Sequence, residues 1–383
     1  MQNKRSIAIV GGGPGGLMLA RILQLRGIHA TVFERDAHSL DRLQGGSLDL
    51  HEETGQRALR LACLEKEFDR LARHEDQGAR IYHPDGTLLH EDDGHEGNRP
   101  EIDRTQLRQL LLESLPAGMV RWGARVETIV PPVDGRFGIR EDDGRERIFD
   151  LIVGADGARS RVRPLVTRTE PAYEGVTIAE LGIDDADRRH PVLAGLVGHG
   201  KMFAKGKGVT LVAQRSSNGH LRVYVFLPFD TPDTGGVLDI ANPAGTRANL
   251  LRRLHGFVPC LLDLVAEAEL IAVRPMYAMP VGHVWKTRPG VTLLGDAAHL
   301  MSPFGGEGAN LAMADAADLA LALSHHEDWD KAVMDYEAVM FARASAAAAG
   351  AAMGLQGAVQ EDGNGILEHF QGHGEMRGAL PRQ

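Results

Sequence analysis

Three segments of the chain place glycines and carboxylates where they could hold a phosphorylated cofactor. In the first, Gly11, Gly13 and Gly16 form a Gly-x-Gly-x-x-Gly motif. Residues without a side chain allow a tight turn, a close approach of the backbone to a pyrophosphate and close packing of the following helix. Glu34 follows at about the 20-residue distance at which an acidic residue accepts hydrogen bonds from a ribose. This spacing predicts a dinucleotide site.

The other two segments each join a carboxylate to glycines. DLIVGADGARSRVR (150–163) contains Asp156, which is followed by glycine and then by basic residues. LLGDAAHLMSPFGGEGAN (293–310) contains Asp296 and a glycine-crowded loop, after which an alanine-rich helix begins. Glycine is about 1 kcal/mol less favourable than alanine in a helix. The glycines before this helix therefore need a reason other than helix formation.

Regular elements surround the first motif in the order that a dinucleotide fold requires. IAIV (7–10) predicts a buried strand, GLMLARILQLRG (16–27) a helix and HATVFE (29–34) a second strand. The helix N-terminus presents free N–H groups and a positive dipole end to phosphates. The motif by itself does not distinguish FAD from NAD.

Composition excludes several classes of protein. The 383 residues are 43% hydrophobic, which is enough for a sizeable core. The 52 acidic and 42 basic residues give a net charge of −10, which argues against a nucleic-acid binder. Two cysteines, Cys63 and Cys260, do not make a disulfide scaffold in a chain of this length. We therefore expect a reducing, cytoplasmic environment.

We expect no membrane contact, no metal and no protein partner. The first apolar run is too short for an export signal, and no run of about 18 apolar residues is present. His51-Glu52-Glu53 lacks the second histidine that a zinc-binding helix requires. No apolar surface stripe is evident, so we expect a monomer that binds a small molecule.

Together the three segments resemble those of the single-component FAD-dependent aromatic hydroxylases, the group A flavin monooxygenases. FERDAHSLDRLQGGSLDLHEETGQRALRLA (33–62), PEIDRTQLRQLLLESL (100–115) and GDAAHLMSPFGGEGAN (295–310) look most similar to the TetX-type tetracycline-inactivating monooxygenases. The resemblance spans residues 5–340 and is strongest in the cofactor segments.

The resemblance implies an α/β fold with an FAD-binding Rossmann-like domain of the para-hydroxybenzoate hydroxylase type. A mainly β substrate domain is inserted in it, and a long C-terminal helix follows. Alternating strand-like runs in the middle of the chain support the separate sheet. The expected boundaries are 1–75, 98–171 and 275–328 for the discontinuous FAD-binding domain, 76–97 and 172–274 for the substrate domain, 329–360 for a bridging helix and 361–383 for a poorly ordered tail.

Individual residues take roles from the same resemblance. Asp296 would hold the ribityl chain of FAD, and the glycines after it would let the backbone lie against the flavin ring. Arg35 and Arg42 would contact cofactor phosphates, Arg42 those of NADPH, while Asp49 and Arg104 would contact FAD near the flavin. The expected cofactor-binding residues are Gly11, Gly13, Gly16, Glu34, Arg35, Arg42, Asp49, Arg104, Asp156, Asp296, Pro303, Gly306, Gly308, Ala309 and Asn310.

The expected substrate residues are Glu180, Arg222 and Tyr224 in the middle of the chain. The tetracycline-inactivating enzymes place a glutamine and a histidine where this sequence has Glu180 and Arg222. This departure puts tetracycline itself in doubt as the substrate. Exposed positions on strands would be the alternative interpretation of both residues.

The implied activity is that of an NADPH- or NADH-using monooxygenase. FAD would activate O2 as the C4a-hydroperoxide and pass one oxygen atom to an aromatic or polyketide substrate, so no protein side chain need be a nucleophile. An oxygen-independent flavin reductase and a non-catalytic flavin-binding module remain alternatives. A flavin halogenase is disfavoured, because its Trp-x-Trp signature is missing.

Overall fold

The computed structural model describes the chain except for residues 1–4, 42–44, 96, 134, 142–143 and 360–383. Arg42 and the expected tail therefore lie outside the described residues.

The strands are β1 (Ser6–Val10), β2 (His29–Phe33), β3 (Ser47–Asp49), β4 (Gly78–Tyr82), β5 (Leu88–Asp92), β6 (Glu101–Asp103), β7 (Val120–Arg121), β8 (Val126–Val133), β9 (Arg136–Glu141), β10 (Glu146–Phe149), β11 (Leu151–Gly154), β12 (Ala172–Ile183), β13 (Gly200–Gly206), β14 (Val209–Arg215), β15 (Leu221–Pro228), β16 (Glu269–Ala278) and β17 (Val291–Leu293). The helices are α1 (Pro14–Leu25), α2 (Arg57–Leu61), α3 (Glu65–Leu71), α4 (Arg104–Glu113), α5 (Ala186–Arg189), α6 (Pro191–Val197), α7 (Pro243–Arg253), α8 (Pro259–Ala266), α9 (Asp296–His299), α10 (Glu307–His325) and α11 (Trp329–Val359).

The chain divides into two compact units, each made of three segments. The described residues within 1–72, 104–172 and 278–349 form the first unit, and those within 73–103, 173–277 and 350–359 form the second. The boundaries expected from the sequence between the FAD-binding domain and the substrate domain followed residues 75, 97, 171 and 274. The sequence expectation treated 329–360 as a bridging segment of its own. In the structure α11 is one helix whose residues up to 349 belong to the first unit and whose later residues belong to the second.

A parallel sheet forms the centre of the first unit, with strand order β17-β11-β1-β2-β7. β1 pairs in parallel with β2 on one edge and with β11 on the other. β17 pairs in parallel with β11, and β7 with β2. Because every strand runs the same way, the carboxyl ends of all five lie at one edge of the sheet. An antiparallel sheet of β8, β9 and β10 belongs to the same unit.

A mixed sheet forms the second unit, with strand order β16-β12-β15-β14-β13-β4-β5. Successive side chains of a strand point to opposite faces, so each strand contributes to two surfaces. One face carries the buried apolar core, which packs on α6, α7 and α8 through Leu193, Leu250 and Leu264. Polar and charged side chains alternate with these core residues and lie on the other face, for example Glu180 between Ala179 and Leu181.

By length and composition α11 could cross a membrane, with a mean hydropathy of 1.4 over its most apolar window. This is weak evidence, because alanine-rich helices of soluble cores give the same values. The expectation that the chain makes no membrane contact rested on the lack of an unbroken run of about 18 apolar residues in the sequence. Within the first unit, Glu337 of α11 is buried. The hydroxyl of Tyr336, also in α11, donates to the carbonyl oxygen of Leu293 in β17 at 2.8 Å. This half of the helix therefore packs on the parallel sheet.

Two glycines of the second unit permit a test of the sheet. Gly200 opens β13 with a φ of +132°, and a Cβ there would lie 2.0 Å from Gly78 O. Gly195 lies exposed in α6, and a Cβ there would have no atom within 4 Å. Gly200→Ala is therefore expected to lower the free energy of unfolding by at least about 2 kcal/mol. Gly195→Ala is expected to raise it by about 0.5–1 kcal/mol. Thermal denaturation of both variants checks this, and equal unfolding midpoints would contradict the described β4–β13 packing.

Candidate cofactor and active site

Four loops of the three predicted segments begin where four neighbouring strands of the first unit end. β17 ends before Gly295 and Asp296, β11 before Asp156, β1 before Gly11 and β2 before Glu34. Since β17, β11, β1 and β2 are adjacent and parallel, these segments meet at one edge of the sheet. In open α/β sheets, cofactors bind at the carboxyl ends of the strands. The structure thus brings segments nearly 300 residues apart into one candidate site.

The surroundings of the three glycines in the first motif explain in different ways why glycine occupies each position. Gly11 has a φ of +110°, and a Cβ there would lie 2.3 Å from Ala155 O. A Cβ on Gly16 would lie 2.1 Å from Gly11 O, so only glycine lets α1 pack on the loop. Gly13 has no atom within 4 Å of its Cβ position. The open space at Gly13 lies just before α1, where a phosphate group would bind to the helix N-terminus.

Glu34 is buried and holds the motif loop in place. Its Oε2 accepts the N–H of Gly12 at 2.7 Å, and its Oε1 accepts the N–H of Asp36 at 2.9 Å. Each carboxylate oxygen has a second lone pair, which leaves acceptor capacity for a ribose hydroxyl. Glu34 is therefore placed by two backbone donors before any ligand binds.

Arg108 of α4 lies buried beneath the same loop. Its guanidinium donates to Gly12 O at 3.3 Å, to Ser39 O at 2.8 Å and to Asp36 Oδ2 at 3.0 Å. The guanidinium carbon also lies 5.4 Å from the centre of the Trp122 ring, within the range of a cation–π contact. One rigid donor fork thus connects the loop after β1 with the loop after β2.

Asp296 is exposed at the start of the short helix α9. The sequence suggested that one helix begins directly after the glycine loop with Asp296 at its entrance. The structure instead gives Asp296 a separate helix, and residues 300–306 connect this helix to α10. A Cβ on Gly308, in the first turn of α10, would lie 3.8 Å from Asp296 Oδ1. The carboxylate therefore faces the N-terminal end of the longer helix.

Gly306 caps α10 with a φ of +69°, which favours glycine. A Cβ there would lie 2.8 Å from Asp49 Oδ1. The crowding at Gly306 therefore comes from a carboxylate of the protein itself, in addition to any space that a flavin ring requires. Asp49 and Asp296 both lie near the positive end of the α10 dipole.

Asn310 of α10 is fully buried and fixes the segment after β3 to this helix. Its Nδ2 donates to Asp49 O at 2.8 Å, and its Oδ1 accepts the N–H of His51 at 2.9 Å. Since protein groups occupy the side-chain amide, Asn310 shapes the site by holding Asp49 in position. His51 lies between Asp49 Oδ2 at 3.4 Å and Glu307 Oε1 at 3.5 Å, and it is 4% exposed.

Asp156 lies after β11 with one oxygen engaged by protein and one without a partner. Its Oδ2 accepts the N–H of Arg161 at 2.7 Å. Its buried Oδ1 has no hydrogen-bond partner among the described residues. Burial raises the pKa of this carboxyl above its usual range, while hydrogen bonds from the Ser160–Arg161 turn lower it. A buried acceptor of this kind fits a ligand donor.

Arg163 links the second and third motifs within the first unit. Its guanidinium donates to Ala297 O at 2.7 Å, to Asp296 O at 2.9 Å and to Ala158 O at 2.9 Å. The arginine is 5% exposed, and burial lowers its pKa. The carbonyl oxygens at the start of α9 are thereby satisfied by a charged donor.

These features fit FAD. The space at Gly13, the free acceptor of Asp156 and the exposed carboxylate of Asp296 lie along one sheet edge, as an extended dinucleotide requires. Glu34 would hold the adenosine ribose of FAD. The N-terminus of α10 would direct the positive end of the helix dipole at the flavin end of FAD. In the described residues, no group of three or more His, Cys, Asp and Glu side chains could hold a metal ion.

The remaining expected cofactor residues lie at the surface around this edge. Arg35 directly follows Glu34, Arg104 begins α4, and both are exposed. Pro303 is exposed in the loop before α10, and Ala309 is half-buried in the first turn of this helix.

The expected substrate residues lie together in the second unit, on the face of the sheet opposite its core. Glu180 of β12 accepts Arg222 Nη1 and Arg274 Nε, each at 2.7 Å. Glu180 is 3% exposed, so the alternative interpretation of an exposed strand position is wrong for it. Tyr224 pairs in register with Glu180. A second ion pair involves the same sheet, because Lys201 Nζ of β13 lies 3.0 Å from Glu101 Oε1 of the separate strand β6.

Sequence reasoning missed several charged residues of the first unit that are buried or, for Arg343, half-buried. A weak signal existed for two of them. Arg108 lies four residues after Arg104 on one helix, and Asp315 interrupts an otherwise apolar face of α10. The residues that were missed are Arg108, Arg163, His299, Asp315 and Arg343.

Comparisons with known proteins agree with this geometry. Residues 4–346 match the model of a family described as FAD binding domain. The chain is 35% identical over 372 residues to Monooxygenase asqM of Emericella nidulans, which covers 83% of this chain and 84% of that protein. The structure of Klebsiella pneumoniae HpxO complexed with FAD and uric acid has a TM-score of 0.82 and 21% identity, covering 98% of this chain and 94% of that one.

The tetracycline destructase Tet(51) is also a structural neighbour. It has a TM-score of 0.74 and 18% identity, covering 99% of this chain and 100% of that one. At such identities the likeness shows a shared fold. The expected similarity to tetracycline-inactivating enzymes is thus supported for the fold, while the sequence relative above is a different monooxygenase.

Arg108→Leu tests the described loop anchor. Loss of its charge-assisted hydrogen bonds is expected to weaken FAD binding to the apoprotein by about tenfold to a hundredfold. Arg21 of α1 is a matched control, because it donates to Ala62 O and Ser114 O away from the loop. Arg21→Leu is expected to change the dissociation constant less than about threefold, within the usual effect of distant substitutions. Equal losses of FAD affinity in the two variants, measured by flavin fluorescence titration, would contradict this role of Arg108.

Proposed function

Because the chain belongs to the FAD binding domain family of FAD-dependent monooxygenases, we propose that it inserts one oxygen atom of O2 into an aromatic or polyketide substrate and releases the other as water, with NADPH or NADH as the two-electron donor. The observation that carries the proposal is the convergence of the three motif segments at one edge of the parallel sheet. Bound FAD supplies the redox chemistry that side chains lack. The tasks of the protein are to hold the cofactor, exclude water and place the substrate.

The residues of the first unit divide these tasks along the sheet edge. Gly13 and the N-terminus of α1 bind the pyrophosphate, and Glu34 accepts a ribose hydroxyl. Asp296 accepts a hydroxyl of the ribityl chain. The N-terminus of α10 would favour negative charge on the bound cofactor, since the first N–H groups of this 19-residue helix form the positive end of its dipole.

The nicotinamide cofactor is proposed as a transient co-substrate. The sequence contains one dinucleotide fingerprint, and in this proposal FAD occupies it. NADPH would therefore bind only long enough to deliver a hydride. We further propose that the enzyme acts as a monomer on small molecules in the cytoplasm.

Substrate recognition is proposed for the polar face of the second unit. Arg222, Gln214 and Lys201 lie side by side across β15, β14 and β13, because their register pairs them directly. Arg222 is 14% exposed, and Glu180 fixes its guanidinium through one nitrogen. Its remaining donors suit an oxygen-rich, electron-rich ring system that carries phenol or enol groups.

Tetracycline is one such molecule and is the first compound to test. The glutamine and histidine expected from the tetracycline-inactivating enzymes are replaced here by Glu180 and Arg222, which bind each other. The two departures from the expected pattern therefore form one ion pair. A pocket with this pair differs in polarity from a pocket with two neutral side chains.

The proposed reaction predicts a fixed stoichiometry. Purified holoprotein with NADPH and its substrate is expected to consume one O2 per NADPH oxidised and to form a product heavier by one oxygen atom. Oxygen-electrode, absorbance and mass-spectrometric measurements on tetracycline, simple phenols and aromatic polyketides check this. NADPH oxidation without O2 consumption would indicate the reductase alternative, and bound FAD without any NADPH turnover would indicate the non-catalytic module.

The two arginines on Glu180 provide a matched pair for substrate recognition. Arg274 is 61% exposed, whereas Arg222 is 14% exposed, although each binds Glu180 through one nitrogen. Arg222→Gln is expected to raise the KM for the identified substrate at least about tenfold, the effect of losing a hydrogen bond to a charged donor. Arg274→Gln is expected to change KM by less than about threefold, because exposed ion pairs contribute little. Equal KM values in steady-state kinetics would contradict the placement of substrate beside Arg222.

A further inference from the structure

A buried charged cluster lies behind the turn that presents Asp296. Asp315 of α10 is 0% exposed. Its Oδ2 accepts the N–H of Gly295 at 3.0 Å and His299 Nε2 at 2.6 Å. Its Oδ1 accepts Arg343 Nη2 of α11 at 2.9 Å. One carboxylate thus has three donors from two segments of the first unit, the turn around α9 and the helix α11.

The cluster continues away from the turn and fixes the carboxylate in one orientation. Arg343 Nη1 donates to Asp318 Oδ2 at 2.7 Å, and Arg57 Nη1 donates to Asp318 Oδ1 at 2.8 Å. Positive and negative groups alternate from His299 to Arg57. Removal of one member would leave a buried charge without its partner, which is costly.

The short helix α9 depends on the hydrogen bonds that Asp315 accepts from Gly295 and His299. It has four residues and is too short to be stable by itself. Gly295 precedes the helix and His299 ends it, so Asp315 Oδ2 connects both ends of one helical turn. Gly295 also has a φ of +58°, a conformation that side chains disfavour.

The electrostatics of His299 agree with a charged hydrogen bond. Burial lowers the pKa of this imidazole, but the charges and hydrogen bonds around it, those of Asp315 first, together raise the pKa above its usual value. Asp296 adds to this increase. The pKa of Asp315 is held below its usual range: burial raises it, but the attraction of His299 and Arg343 is stronger.

We propose that His299 and Asp315 are positioning residues for the cofactor, which act by holding the Gly295–Asp296 turn so that the Asp296 carboxylate is preorganised for FAD. The proposal rests on the assignment of Asp296 to FAD in the proposed function. It differs from a general contribution to stability, because the effect on FAD affinity must pass through Asp296.

Glu337 shows what a purely structural buried carboxylate looks like in the same unit. It is 0% exposed and accepts Trp285 Nε1 at 3.0 Å, Thr292 Oγ1 at 2.7 Å and Thr287 Oγ1 at 2.5 Å. None of these partners belongs to the turn. Glu337→Gln is therefore a matched control for the loss of a buried ionisable group.

A double-mutant cycle on the dissociation constant of FAD from the apoprotein tests the proposal. His299→Leu and Asp296→Ala are each expected to weaken FAD binding by at least about tenfold. In the Asp296→Ala background, His299→Leu is expected to add less than about threefold, since the residue through which it acts is missing. His299→Gln keeps an N–H donor near the position of Nε2 and is expected to stay within about threefold of the natural protein.

The controls separate positioning from folding. Glu337→Gln is expected to lower the thermal midpoint and to leave FAD affinity within about threefold. If His299→Leu does not fold, His299→Asn, whose amide is too short to reach Asp315, replaces it in the same cycle.

Two outcomes overturn the proposal and can be told apart. Additive losses in the double variant would show that His299 acts independently of Asp296, and they would leave the proposed function intact. Unchanged FAD affinity in Asp296→Ala would overturn the assignment of Asp296 itself, and the positioning role with it.

Discussion

The first unit depends on β1 being hydrogen-bonded to parallel strands on both of its edges. This pairing puts the loop after β1 between the loops after β2 and β11, and β17 extends the same edge. The loops can approach each other only because glycine occupies the crowded positions. A Cβ on Gly11 would meet the carbonyl of Ala155, and a Cβ on Gly16 would meet the carbonyl of Gly11. Strand pairing and glycine packing together create one site from four loops.

Much of this arrangement could be predicted from the sequence, because its signals are local. The strand–glycine–helix–strand order from residue 7 to 34 describes one supersecondary unit, and the structure has it as β1, α1 and β2. The pattern around Asp296 likewise predicted a glycine loop followed by a helix. The extra helix α9 was missed, because a four-residue turn gives no periodic signal.

The buried charges could not be predicted in the same way, because their partners are distant in the chain. Arg108 contacts the carbonyl of Gly12, and Arg163 contacts those of Asp296 and Ala297. A lone arginine on a helix indicates a solvated surface until the fold brings an acceptor to it. The contact between Glu180 and Arg222 could not be predicted from the sequence either. The sequence showed only that both residues depart from the pattern of the tetracycline-inactivating enzymes, and the register of β12 and β15 makes them neighbours.

A crystal structure of the protein grown with FAD would test the central claim most directly, that these segments form a single FAD site. The account predicts one FAD per chain, with its ribose at Glu34, its pyrophosphate at Gly13 and its ribityl chain at Asp296. It also predicts the flavin at the N-terminus of α10. FAD bound elsewhere, or a chain that stays empty at saturating FAD, would contradict the account.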